Sequence, residues 1–148
     1  MQGNPRLTGI VLDRPNVVPG AILEAGKAGL ADRFTAVGGD FFTEVPAANL
    51  YLLKLILSDW DDESCRTILR NCPSSARPGA RAVVMETVVG EIGKPDFGAL
   101  LDIHMLCVTE GQERDLNEFD ALFAASGWRR VAIHQTRTPF AILELKAT

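Results

Sequence analysis

The chain has 148 residues, enough for a domain with a sizeable core, and 47% of them are apolar against 23% charged, a balance that excludes disorder, collagen-like sequence and a coiled coil. Fifteen basic residues against 19 acidic ones give a net charge of −4, with no basic block, so a nucleic-acid groove or an anionic membrane surface is not expected. The longest apolar runs are strand-length, and the N-terminal MQGNPRLTG has no apolar core of the kind a secretory signal needs. Three cysteines without a CxxC pair argue against a disulfide framework or a zinc site, which leaves a reduced cytoplasmic protein as the expectation.

Leu7–Leu12 is short, apolar and partly β-branched, as a buried parallel strand is, and Asp13 ends it. Asn16–Leu30 has helical spacing, with Val18, Ile22, Ala25 and Gly29 on one face. Phe34–Val37 reads as a second strand closed by Gly38-Gly39-Asp40. Asn49–Leu57 reads as a third, with Lys54 its single charge.

Asp59-Trp60-Asp61-Asp62-Glu63 has the acidic character of a helix start. The helix that follows carries Cys65, Ile68, Leu69 and Cys72 on one apolar stripe, and Pro73 and Pro78-Gly79 are expected to end it. Ala80–Val84 is a further buried strand with Glu86 just beyond its end. After a connection at Gly90–Pro95, Phe97, Leu100, Leu101, His104 and Val108 share a helical face. A last helix, Asn117–Ala125, turns Phe119, Leu122 and Phe123 inward and stops at Gly127. Trp128–His134 and Pro139–Leu145 then alternate as an antiparallel pair around Thr136-Arg137-Thr138.

This β-α-β-β-α-β-α-α-β-β order predicts an α/β fold: a mostly parallel sheet covered on both faces and closed by an antiparallel hairpin. Ligands of such sheets bind beyond the carboxyl ends of the strands. The polar residues expected there are Asp13, Asp40 with Phe41, Lys54 to Ser58, and Glu86. Asp13 suits ribose hydroxyls, and Gly38-Gly39-Asp40-Phe41 offers backbone approach, a carboxylate and an aromatic wall to an adenine. Taken singly, each has a plainer reading as a turn, a cap or a snorkelling lysine.

In this order, GIVLDRPNVV, VGGDFFTEVP, YLLKLILSDWDDESCRTILRN, PGARAVVMETVV and LLDIHMLCVTEGQERDLNEFDALFAASGW resemble the S-adenosylmethionine-dependent O-methyltransferases of the plant caffeate and flavonoid type and the bacterial polyketide and hydroxyneurosporene type. The resemblance runs from Asn4 to about Glu144. It implies a Rossmann-like class I methyltransferase sheet and methyl transfer to a hydroxyl of a small, aromatic or polyketide-like acceptor, without a metal.

Residue by residue, the resemblance implies that Asp13 holds the cofactor ribose, Asp40 and Phe41 bind and flank the adenine, and Lys54 contacts the cofactor. Ser58 stands where plant members place the histidine that deprotonates the acceptor. Glu86 and Glu113 match the acids that position that histidine, and Leu101, His104 and Met105 match the wall of the acceptor pocket.

The sequence departs from the family pattern at two places. Serine cannot serve as a general base near neutral pH without a base of its own, which leaves proximity and orientation, Glu113 or His104 to assist the transfer. The family's first strand, its glycine-rich loop and its N-terminal dimerisation domain have no counterpart in the chain, which reads as a single, partial catalytic domain. Without that strand, Leu7–Leu12 and Asn49–Leu57 are expected either to pair directly or to make the chain associate through the open edge. The rival expectation is a catalytically inactive remnant or a partner-binding module.

Overall fold

The computed structural model describes residues 1–74, 79–91, 93–109 and 111–148. The chain divides into two compact units, Met1–Pro46 and Ala47–Thr148.

In the first unit, β1 (Gly9–Asp13) and β2 (Phe34–Gly38) form a two-stranded parallel sheet with Asp13 opposite Gly38. Helix α1 (Val18–Lys27) is the crossover between them. Of its expected inward face only Ala25 is buried, and Ile22 is exposed. Val18 and Ala21 are half-buried. The Arg33 guanidinium donates to the carbonyls of Leu7 at 2.8 Å and Asn4 at 3.1 Å and so fastens the N-terminal turns.

The second unit holds β3 (Leu50–Lys54), α2 (Asp62–Ser74), β4 (Arg81–Thr87), α3 (Phe97–Val108), α4 (Leu116–Ala124), β5 (Trp128–Gln135) and β6 (Phe140–Ala147). Its sheet has the order β3-β4-β6-β5, with β3 parallel to β4 and β6 antiparallel to both of its neighbours. Leu57, Cys65, Ile68, Leu69, Val84, Phe119, Phe123, Leu143 and Leu145 supply the core. Trp128 is fully buried within it and donates its indole N–H to the Leu69 carbonyl at 2.9 Å.

The α/β class and the element order agree with expectation, and the cysteine stripe of α2 is buried as the spacing predicts. Several details differ. One continuous sheet is replaced by two, and β1 and β3 lie in different ones, so direct pairing of these two strands does not occur among the described residues.

The third strand stops at Lys54 instead of Leu57, because Leu55 takes a left-handed backbone (φ 53°) that no strand continues through. Pro73 does not end α2, which runs to Ser74; Pro78 lies outside the described residues, as does Ile92 in the Gly90–Pro95 connection. The fourth strand extends to Thr87, so Glu86 lies inside it, because pairing with β6 continues through Glu86↔Ala141 and Thr87↔Phe140. On α3, Phe97, Leu100, His104 and Val108 are exposed instead of sharing an inward face. That helix is apolar nearly all round, so its spacing does not single out a buried side.

Candidate active site

The expected site residues fall into two sets, one in each unit. In the first unit, Asp13 ends β1 and Asp40 follows β2 by two residues, so parallel pairing brings both to the carboxyl end of the same small sheet. The Gly39 amide donates to the Asp13 carbonyl at 3.0 Å. At position 39 a Cβ would lie 2.9 Å from the end of the Leu12 side chain, which would have to shift to admit it.

The Asp13 carboxylate accepts from the Arg14 amide at 2.7 Å through Oδ1. That of Asp40 accepts from Phe42 N–H at 2.9 Å through Oδ1. Each carboxylate has a second oxygen, the minimum either needs to receive a ligand donor. Beside them is a cavity of about 390 Å³ lined by Leu12, Val37, Gly38, Gly39, Asp40 and Thr43, among others. Its volume lies within the range of small-molecule pockets. A mostly apolar wall, a glycine pair and the Asp40 carboxylate fit the flat base and the donor groups of a nucleoside, while Asp13 lies next to the lining residue Leu12. Phe41 packs against Phe42, with ring centroids 5.0 Å apart.

In the second unit, the turn after β3 assembles the other set. Leu55 swings the chain out of the strand, and the Ile56 and Leu57 amides both donate to Glu86 Oε1, at 2.9 and 2.8 Å. Glu86 is fully buried, and Ser58, next along the turn, is buried as well. Burial pushes the Glu86 carboxyl above its ordinary range, against the opposing pull of the Leu57 and Ile56 amides and the Ser58 side chain.

Glu113 comes to the same turn from the segment between α3 and α4. Its amide donates to Asp102 Oδ1 on α3 at 2.9 Å. Gly111 lets this segment lie directly against the turn, where a Cβ would overlap the Ser58 carbonyl oxygen. Burial is the largest influence on the Glu113 carboxyl; with the charges of Glu86, Asp102 and Asp59 added and that of Arg114 opposing, its pKa is raised to about 7. Oε2 of Glu86 and Oε2 of Glu113 are both buried and have no hydrogen-bond partner among the described residues.

Ser58, Glu86 and Glu113 are therefore brought together. Leu101 and Met105 are half-buried on either side of Asp102 along α3, which ties their helix to the Glu113 segment. His104 is exposed on the same helix, and Lys54 is exposed at the end of β3.

Sequence reasoning missed Arg114. This residue is almost wholly buried and donates to the carbonyls of Leu57 at 2.9 Å and Trp60 at 3.0 Å, and to Asp62 Oδ1 at 2.9 Å. It locks the turn carrying Ser58 to the start of α2. The signal was the acidic run Asp59 to Glu63, whose carbonyls and carboxylates call for a cation from elsewhere in the chain. Asp102 was also missed, since one acid in an apolar helix gives no indication that it receives a distant amide.

The O-methyltransferase domain family matches residues 1–129, and the chain belongs to it. It is 40% identical over 147 residues to the phenazine O-methyltransferase PhzM of Lysobacter antibioticus, covering 99% of this chain and 43% of that protein. The crystal structure of LaPhzM aligns with 99% of the chain and 45% of its own, with a TM-score of 0.92 at 40% identity. NcsB1, an O-methyltransferase from neocarzinostatin biosynthesis solved with S-adenosylmethionine and 2-hydroxy-5-methyl naphthoic acid, aligns with a TM-score of 0.88 at 34% identity, over 99% of this chain and 43% of its own. The chain thus spans less than half the length of these relatives.

Proposed function

We propose that the chain is the carboxyl-terminal part of an S-adenosylmethionine-dependent O-methyltransferase acting on a hydroxyl of a small aromatic or polyketide-like molecule. The observation that carries this reading is the cavity at the carboxyl ends of β1 and β2, with its glycine pair and neighbouring carboxylates, in a chain that belongs to the O-methyltransferase family. S-adenosylmethionine supplies an electrophilic methyl group on a sulfonium. In this reading Asp13 accepts from the ribose hydroxyls, Asp40 from the adenine amine, and Phe41 covers the base. Lys54 belongs to the same cofactor set. Ser58, Glu86 and Glu113 face the acceptor hydroxyl, and Leu101, His104 and Met105 belong to the acceptor wall. Acceptors of the class bound by NcsB1, hydroxylated naphthoic acids, are the starting panel.

Calorimetric titration of the chain with S-adenosylhomocysteine tests the cofactor set. Asp40→Ala is expected to weaken binding by about 1–3 kcal/mol, because the donor it served is left unpaired. Binding unchanged in the Asp13→Ala, Asp40→Ala double variant would remove both residues from the site. We further propose that the open edge at β3, where Leu50 and Leu52 are exposed, makes the chain self-associate. Sedimentation velocity as a single concentration-independent monomer would rule that out.

A further inference from the structure

Glu86 and Glu113 are both buried at the turn that carries Ser58, and their part in proton transfer rests on the transferase reading. Glu86 is fixed by two backbone amides on one oxygen; Glu113 is fixed through its own amide by Asp102. Among the described residues, Oε2 of Glu86 and Oε2 of Glu113 are buried and have no hydrogen-bond partner, beside a turn whose serine is also buried. Two carboxyls near one another away from water do not both ionise cheaply, and one proton held by the pair resolves the conflict.

The charged groups that act on Glu113 are Glu86, Asp102 and Asp59, which favour its protonated form, and Arg114, which opposes them. Arg114 does not neutralise the pair, since its guanidinium is committed to Leu57, Trp60, Gln112 and Asp62. The resulting pKa, about 7, is that of a useful base near neutral pH.

We propose that Glu86 and Glu113 are a proton-sharing pair, and that Glu113 is the group that takes the proton from the acceptor hydroxyl at this site. The acceptor O–H gives its proton to the Glu113 carboxylate. The oxygen electron pair forms the new O–CH3 bond, while the carbon–sulfur bond of the methyl sulfonium donor breaks and leaves its pair on a neutral thioether. Glu113 then releases the proton to solvent. Ser58 contributes a hydrogen bond and no net proton.

The test measures methyl transfer to a hydroxynaphthoic acid against pH, together with carboxyl NMR titration of the chain labelled at glutamate. The wild-type rate should rise about tenfold per pH unit below neutrality and level off above it. Glu113→Gln should lower the plateau by about 100-fold or more and abolish that limb, with S-adenosylhomocysteine affinity unchanged. Glu86→Gln should move the Glu113 titration to lower pH, because the like charge is gone. A pH limb that persists in Glu113→Gln overturns the proposal, as does a Glu113 carboxyl that titrates in the ordinary carboxylate range. A wild-type chain that transfers no methyl, yet whose Glu113 titrates near neutrality and responds to Glu86→Gln, would sink the transferase reading and leave the shared proton standing.

Discussion

A carboxyl whose pKa rises on folding binds its proton more tightly in the folded chain, so folding is favoured as pH falls. Glu113 moves from near 4.5 to about 7, which makes its cost fully developed above about pH 7 and absent below about 4.5. Glu86 acts in the same direction. Glu113→Gln is therefore expected to stabilise the chain at pH 8 by on the order of 1–2 kcal/mol and to have little effect at pH 4.5. Urea unfolding at the two pH values checks this, and equal gains at both would mean that the group is not shifted. Arg114 has the opposite character. Arg114→Met removes a donor from the buried Leu57 carbonyl and the half-buried Trp60 carbonyl, and the partner of Asp62, at a cost on the order of 3 kcal/mol. A urea midpoint unchanged in that variant would show the guanidinium bonds to be dispensable. The sequence exposes Ser58, Glu86 and Glu113 through their place in a resembling pattern, whereas Arg114 owes its importance to contacts more than fifty residues away that no local spacing records.

Among the elements, those with one strongly apolar side were legible in the sequence. The i, i+3, i+4, i+7 stripe of α2 and the alternation of β6 match what the fold buries, whereas in β5 a register shift between Arg130 and Ala132 breaks the alternation and leaves Val131 exposed. Their ends were less legible, because tertiary pairing sets them: β6 carries β4 on to Thr87, and the left-handed Leu55 cuts β3 short. Helix α3 misled for the opposite reason, its apolar residues being too many to choose a side. The α2 stripe makes a chemical prediction. Burial raises the Cys65 thiol to about 11 and the Cys72 thiol to about 12, so neither offers thiolate near neutral pH, while Cys107 is exposed on α3. One thiol should react promptly with an aromatic disulfide reagent and two only on unfolding. Peptide mapping that finds Cys65 labelled as fast as Cys107 would mean α2 is not packed as described. The seven-residue spacing, about 10 Å along the axis, also places a Cys65–Cys72 disulfide out of reach.

At the scale of the whole molecule, the two units differ sharply in how much they bury. The Met1–Pro46 unit has one buried side chain, Ala25, and a two-stranded sheet, whereas the Ala47–Thr148 unit holds the remaining buried core beneath four strands. A piece of chain that short rarely buries enough apolar surface to be stable by itself, and an isolated pair of strands gives its hydrogen bonds little shelter. Local opening of the first unit should therefore cost much less than global unfolding. Hydrogen exchange is expected to show the amides of β1, β2 and α1 exchanging well ahead of those of β4 and β6, which sit at the centre of their sheet. Saturating S-adenosylhomocysteine should slow the amides of the first unit selectively, because a ligand stabilises the state to which it binds, and the proposed nucleoside cavity lies wholly in that unit. Equal protection of β1 and β4 without ligand would contradict the difference in burial. Protection by ligand confined to the second unit would place cofactor binding away from Asp13 and Asp40 and leave the cavity at the end of β1 and β2 without its proposed occupant.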